Sequence, residues 1–569
     1  MALKLHSFAL AASLVAATWM LPGGAPHAQN SQVRLPSLGE AESDELSILD
    51  ERRIGDQIMR EIRGDPDVLD DPVLTEYLQS IVQPLVQAAR TRGDMSAEED
   101  EVFAWEPFLV RDRTFNAFAL PGGFMGVHLG LIAASGSSDE MASVLGHELS
   151  HVTQRHIARS MANSKRQTIA TSVAMLLGLL ASTKSHNGDV PMAVVAGGQA
   201  AMATGQLTFS RDMEREADRF GLDVMTTAGF APGGMASMFE RLDVVSRLND
   251  SNQYPWLRSH PLTIDRLAEA RLRAKGGNGS ATSALNRPVE HQIMRARARV
   301  LMDPTDAALR RIQAHGRFAL TAPLAPADRL GALYGGALAS IVLRDYPAAS
   351  EQLQAARAMV GAPGAALAVA AEAPASAPTV AAGTPLSESA STAVGPPVDL
   401  ASPAVRRDLA LLALQLAEAR RVPAEITAAA AALDRDPTRP AMLAQAEAAI
   451  ARHVAGDVSA LVALRQQTEH LQTWVSLNRR DALAWATLAL VAEPAGQKLR
   501  AIRAEAEAHA VNGDLNGAID RLRAAQRASK GPNDFMEGSI IDARLRELEA
   551  QRRELRKEQH LRGDADDDR

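Results

Sequence analysis

Ile54, Ile58 and Ile62 stand at four-residue steps inside the charged stretch Leu46 to Arg63, and this spacing predicts an amphipathic helix. A second helix is expected from Asp71-Pro72, a good cap followed by a good first residue, towards Arg90. The pattern then shortens. Phe103 to Val110 and Asn116 to His128 read as strands, the latter split by Pro121-Gly122-Gly123. Ser137 and Glu140 have capping-box spacing, and Met141, Val144, Leu145 and Leu149 spread apolar side chains around the helix that follows. That helix is predicted to be buried.

Two apolar, Gly/Ala/Met-rich stretches, Thr168 to Ala181 and Val190 to Thr204, fall short of the ~20 residues that span a bilayer. They are read as a pair of buried helices or as an apolar hairpin over the site, touching substrate or a membrane surface. From Val289 onward the pattern is helical and alanine-rich, broken by a Pro/Ala/Ser/Thr-rich linker from Pro363 to Pro397. Helical-hairpin spacing recurs on both sides of it: Leu333 to Ala355, Ala482 to Ala492, and Ala506 to Ala525 around Asn512-Gly513-Asp514. This resembles degenerate tetratricopeptide repeats. The linker separates these segments more than a compact repeat superhelix would suggest. The tail after Glu549 is highly charged.

At 569 residues the chain is too long for one core. The expected fold class is mainly α: an α+β domain over 40–280, followed by an all-α tetratricopeptide-like domain. The latter comprises hairpins at 289–360, a linker at 361–399, helices at 400–556 and a charged tail at 557–569. Scarce aromatics, 4% of residues, favour helices over sandwiches or barrels. A net charge of −8 offers no nucleic-acid surface. Residues 1–28 read as an export signal: Lys4, an apolar core from Phe8 to Leu21, then small residues near Ala25 and Ala28. An uncleaved anchor is the competing reading. With no cysteine, neither a lipid-anchored start nor disulfides are available, which fits a bacterial periplasm.

The candidate chemistry lies in His147-Glu148-Leu149-Ser150-His151, which fits H-E-x-x-H. Two imidazoles four apart share a helix face and can reach one ion, while Glu148 is rotated by about 100° and free to handle a proton. A catalytic zinc wants three protein ligands. His156 follows His151 by five residues, over 90° round a continuous helix, and reads as structural or exposed. Downstream, Glu214 and Asp218 are four apart on one helix face. Either carboxylate could bind the metal while the other orients an imidazole. Glu216 points roughly the opposite way.

Three segments together carry a resemblance: Asn116-Ala117-Phe118-Ala119-Leu120-Pro121-Gly122-Gly123, Asp139-Glu140 before the His-Glu-Leu-Ser-His helix, and Ser210-Arg211-x-x-Glu214-x-Glu216-Ala217-Asp218. They are similar to the HtpX/CAAX-prenyl-protease family of zinc metallopeptidases. The likeness is greatest to its periplasmic branch, in which a soluble protease domain precedes tetratricopeptide-like helices. The resemblance implies one Zn2+ held by His147, His151 and Glu214, with Glu148 as catalytic base and Asp218 as partner of a ligating imidazole. That branch also carries a His-Pro element, matched by Ser259-His260-Pro261-Leu262 and then Arg266. It implies that His260 approaches the metal from the far side and that Arg266 stabilises the oxyanion or a nearby carboxylate.

The expected activity is zinc-dependent endoproteolysis of misfolded or stalled envelope proteins, with the strand near Phe124 to His128 aligning an unfolded segment. The helical half would bind partners such as the outer-membrane protein assembly machinery, and residues 168–205 would touch membrane peripherally. The rival reading is a chaperone or assembly factor with a latent protease site.

Overall fold

Capping and apolar spacing set the first elements. In the computed structural model, which describes residues 46–162, 209–248, 254–276, 285, 287–361, 399–529, 531 and 534–567, helix α1 (Ile48–Ile62) begins where the Ser47 hydroxyl accepts from Asp50 N. Its Ile54, Ile58 and Ile62 are buried. Helix α2 (Pro72–Arg92) starts with Asp71 Oδ1 accepting from Leu74 N at 2.9 Å. The short α3 (Ala97–Val102) carries a full capping box between Ser96 and Glu99. The export signal expected at 1–28, the apolar stretches between 168 and 205 and the linker expected at 363–397 lie outside the described residues.

Strands β1 (Val68–Leu69), β2 (Glu106–Val110), β3 (Ala117–Leu120) and β4 (Phe124–His128) form one sheet in the order β1-β2-β4-β3. Gly122 and Gly123, at φ 77° and 83°, turn β3 into β4 as an antiparallel hairpin. β2 pairs with β4 in parallel, Phe108 opposite Gly126. This corrects one expectation. β4 was to align an extended substrate, but both of its edges are already paired, because β2 reaches it from the other side. The unpaired edges among the described residues belong to the two-residue β1 and to β3, and β3 also packs against the metal-motif helix.

Helix α4 (Leu129–Ala134) leads into α5 (Ser138–Thr153), every residue of which is buried. Ser137 caps α5 by accepting from Glu140 N at 3.2 Å. The Glu140 carboxylate does not close a capping box; it accepts from Gly136 N at 2.6 Å and pairs with Arg241. After α5 come α6 (His156–Ala162), α7 (Arg211–Thr227), α8 (Gly233–Leu248), α9 (Pro255–Ser259) and α10 (Ile264–Gly276). α5 packs on α2, α7 and α8, so the motif helix is the centre of this half.

The remaining described residues are helical: α11 (Pro288–Met302), α12 (Asp306–Phe318), α13 (Pro326–Val342), α14 (Tyr346–Gly361), α15 (Pro403–Arg420), α16 (Pro423–Ala430), α17 (Arg439–Val454), α18 (Ala460–Leu477), α19 (Ala482–Ala492), α20 (Lys498–Val511), α21 (Leu515–Ala528) and α22 (Phe535–Asp567). Successive helices pack on one another, and α15 packs on both α13 and α14. The 363–397 stretch therefore does not part the helices on its two sides, contrary to the separation expected.

Polar contacts, the first of them buried, fasten the array to the half that holds the sheet. Arg297 of α11 donates to both Asp71 carboxylate oxygens at 2.7 and 2.6 Å and to Tyr334 Oη at 3.0 Å. Arg439 of α17 bridges Asp70 and Asp481. Gly513, in the turn before α21 at φ 85°, sits so close to Arg60 of α1 that a Cβ there would meet its backbone oxygen at 3.0 Å.

Candidate metal centre

The site is made by α5, α7 and the segment between α9 and α10. Gly146 and Gly221 let α5 and α7 cross at backbone contact: a Cβ on Gly221 would meet His147 N at 2.9 Å. Ser210 begins α7 by accepting from Met213 N at 3.2 Å. The crossing sets Glu214 and Asp218 against His147. His147, His151, Glu214 and His260 are all buried, and one ligand atom from each lies within 4.8 Å of the others.

The interatomic contacts assign the ring protons. His147 Nδ1 lies 3.0 Å from Asp218 Oδ1, an ion-pair distance without hydrogen-bond alignment, and a carboxylate that close draws the ring proton to Nδ1 and leaves Nε2 a bare lone pair. His156 Nε2 faces Glu216 Oε2 at 3.0 Å, and His156 Nδ1 faces His151 Nδ1 at 2.9 Å. With a proton on His156 Nε2, His151 Nδ1–H donates inward to His156 and its Nε2 is also bare. The Nε2 atoms of His147 and His151 are 3.0 Å apart. Glu214 lies 3.6 Å from each of them, through Oε2 and Oε1 respectively. Glu214 Oε2 is 2.9 Å from Arg266 Nη1, an ion-pair distance without hydrogen-bond alignment, so this buried oxygen keeps an unmet lone pair. Converging lone pairs with no proton between them call for a cation, and two imidazoles with one carboxylate are the donor set of a catalytic zinc. The residues fit the metal.

Burial and neighbouring charges shift the ionisable groups of the site in opposite directions. Burial works against charge on His147, but the Asp218 and Glu214 carboxylates outweigh it and raise its pKa. His151 is held well below the usual imidazole value by burial, with His147, His260 and His156 adding to the effect. Asp218 is pushed down to about 2: burial opposes its charge, but the hydrogen bonds from Arg266 prevail. Glu214 is lowered as well, its burial being outweighed chiefly by His260.

Arg266 donates from Nε and Nη2 to the two Asp218 oxygens at 2.6 and 2.8 Å and from Nη1 to Pro261 O at 2.8 Å. In this state its guanidinium is committed to carboxylates and backbone. His260 Nδ1 is 2.9 Å from Glu214 Oε1 and 3.2 Å from His147 Nε2, while its Nε2 is 3.6 Å from Glu148 Oε1. Glu148 accepts from Trp256 Nε1–H at 2.8 Å.

One residue of this constellation, His156, lies elsewhere than its sequence reading put it. α5 ends at Thr153, and Arg155 at φ 53° reverses the chain. His156 is therefore brought back onto His151 instead of continuing round a helix. Arg155 is held there by Glu51 and by Leu46 O at 2.6 Å. Glu216 does point away from Glu214, but towards His156. Trp256 was not singled out at all; its only sequence signal is an aromatic four residues before the His-Pro pair.

Residues 72–274 match the model of peptidase family M48. The beta-barrel assembly-enhancing protease of Escherichia coli K12 is 36% identical over 265 residues, 47% of this chain and 52% of that protein. Its namesake from Yersinia pestis is 34% identical over 244 residues, 43% and 48% of the two chains. The mitochondrial metalloendopeptidase OMA1 of Schizosaccharomyces pombe is 34% identical over 139 residues, 24% and 38%. The similarity thus spans about half the length of the bacterial relatives.

Proposed function

We propose, from the match of residues 72–274 to peptidase family M48, that this chain is a zinc-dependent endopeptidase of the bacterial envelope. His147, His151 and Glu214 hold the metal, Glu148 is the general base, and Asp218 and Arg266 orient the ligands. The observation that carries the reading is the meeting of the His147 and His151 Nε2 lone pairs, 3.0 Å apart, with Glu214 beside them.

Zinc held by His147, His151 and Glu214 would supply Lewis-acid chemistry, polarising the scissile carbonyl and lowering the pKa of water towards neutrality. Glu148, adjacent to His147 on α5, takes a proton from that water and returns it to the leaving amine. Asp218 keeps the His147 proton on Nδ1, and Arg266 keeps Asp218 ionised. The unpaired edge of β3 offers backbone groups to an extended peptide, a sequence-tolerant recognition suited to unfolded segments.

The bacterial relatives' name points to outer-membrane β-barrel assembly. Misfolded or stalled envelope proteins are the substrates we propose for this chain. An export signal at 1–28 delivers it to the periplasm. The tetratricopeptide-like helices at 289–360 and 400–556 receive partners of the assembly machinery, and residues 168–205 contact substrate or membrane. Among the described residues no helix is long and apolar enough to cross a membrane.

His260 supports a restrained form of this activity, because it stands where a fourth ligand would and reaches towards Glu148. A latent protease acting chiefly as an assembly factor is the reading that this contact favours second.

The test incubates the zinc-loaded protein and Glu148→Gln with an unfolded outer-membrane protein. Cleavage by the wild type alone, at equal zinc content, is expected. Equal cleavage by both removes Glu148 from the chemistry. Binding without cleavage by either supports the assembly-factor reading.

A further inference from the structure

His156 and Glu216 take no part in the reaction described above, yet they form a chain of contacts that runs from a half-buried carboxylate through a buried imidazole to a ligand. The Glu216 carboxylate accepts from Arg159 Nη1 at 3.1 Å and lies 3.0 Å from His156 Nε2. His156, fully buried, meets His151 Nδ1 through its own Nδ1 at 2.9 Å. Two nitrogens at that distance share one proton, and the carboxylate decides which ring supplies it. Because Glu216 can only accept, His156 carries its proton on Nε2 and presents a lone pair at Nδ1. His151 must then carry its proton on Nδ1, which leaves Nε2 bare on the metal side.

We infer that His156 and Glu216 are positioning residues that fix the tautomer and ring plane of His151 for zinc. The inference rests on the zinc reading of the site. It also accounts for an asymmetry between the two motif histidines: His147 meets Asp218 directly, whereas His151 reaches Glu216 through a second imidazole. The backbone serves the same end. The left-handed Arg155 turn carries His156 back over His151, and Phe209 stacks on the His151 ring, centroids 4.0 Å apart, to hold its plane. Replacing either relay residue leaves His151 free to rotate or to place its proton on Nε2, where it cannot ligate. Orienting partners of metal ligands typically contribute 10- to 100-fold in metal affinity.

The experiment measures zinc affinity of the full chain by competition with a chelator, for wild type, His156→Phe, His156→Gln and Glu216→Ala. Thermal unfolding of the zinc-free forms is recorded in parallel. Phe keeps the ring volume without nitrogens, whereas the Gln amide supplies one acceptor and one donor. Expected are a zinc affinity weakened about 10- to 100-fold in His156→Phe, a smaller loss in Glu216→Ala, and recovery to within a few-fold of wild type in His156→Gln. Glu216 is one-third exposed, so its variant reports even where His156→Phe fails to fold. Wild-type affinity in both Glu216→Ala and a folded His156→Phe overturns the relay while leaving the zinc reading intact, as does equal weakening by Phe and Gln. Failure of the wild type itself to bind zinc overturns both.

Discussion

Trp256 Nε1–H donates to Glu148 Oε1 at 2.8 Å, and both side chains are buried. The indole also stacks on His260, ring centroids 5.0 Å apart at 27°. One residue thus holds the proposed base and the imidazole opposite the metal ligands. Trp256→Phe keeps the stacking surface and removes the donor. Hydrogen bonds to charged groups are worth about 1.5–3 kcal/mol, so stability falls by that order. Proteolysis falls about tenfold, part of the 10²–10⁴-fold that general acid–base catalysis typically contributes, at unchanged zinc content. Steady-state cleavage rates and metal analysis check this.

Gly221→Ala tests the helix crossing. Its Cβ would lie 2.9 Å from His147 N and against the backbone of Gly146, so α7 must move away from α5. Overpacking of this kind costs about 1–3 kcal/mol, and Glu214 moves with its helix. Lower unfolding temperature together with weaker zinc binding is expected. A loss of stability with unchanged zinc affinity would separate the crossing from the metal site.

Arg266→Ala leaves two buried carboxylates, Asp218 and Glu214, without their cation. Breaking a buried ion pair by removing one partner costs about 3–5 kcal/mol. Denaturant unfolding of the zinc-free variant gives that figure. Added zinc should recover part of the loss, since the ion compensates Glu214.

His291 predicts the acid response of the junction between the two halves. It lies 2.6 Å from Tyr77 Oη and 3.1 Å from Ser135 O, and burial lowers its pKa to about 4. The folded protein therefore binds fewer protons than the unfolded chain between the usual imidazole value and about 4. The contribution of His291 is complete above the unfolded pKa and is lost as pH falls through that window, to a total of about 3 kcal/mol. His291→Gln should be less stable at pH 7, with most of its deficit gone at pH 4. Urea unfolding across that range measures both.

The motif helix was legible because its chemistry is local: His147, Glu148 and His151 follow from helical periodicity alone. Glu214 and Asp218 could be paired from their spacing, but which one meets the metal depends on the Gly146–Gly221 crossing, a contact 75 residues apart in sequence. His156 does not continue round the motif helix because α5 stops at Thr153. A non-glycine residue in the left-handed region, Arg155, ends that helix. Its cause is the distant Glu51 and Leu46 contacts, which no local pattern reveals. β4 was taken as a docking edge because its hairpin with β3 could be read locally, whereas its parallel pairing with β2 is a crossover. The continuity of the helical array across 363–397 was likewise hidden, since α14 and α15 meet through tertiary packing alone.

Anomalous scattering at the zinc edge, from crystals of the zinc-loaded protein, tests the central claim most directly. The account predicts one strong peak per chain, about 2.0–2.2 Å from His147 Nε2, His151 Nε2 and a Glu214 carboxylate oxygen. A peak elsewhere, or none between these three residues at full zinc loading, would contradict it.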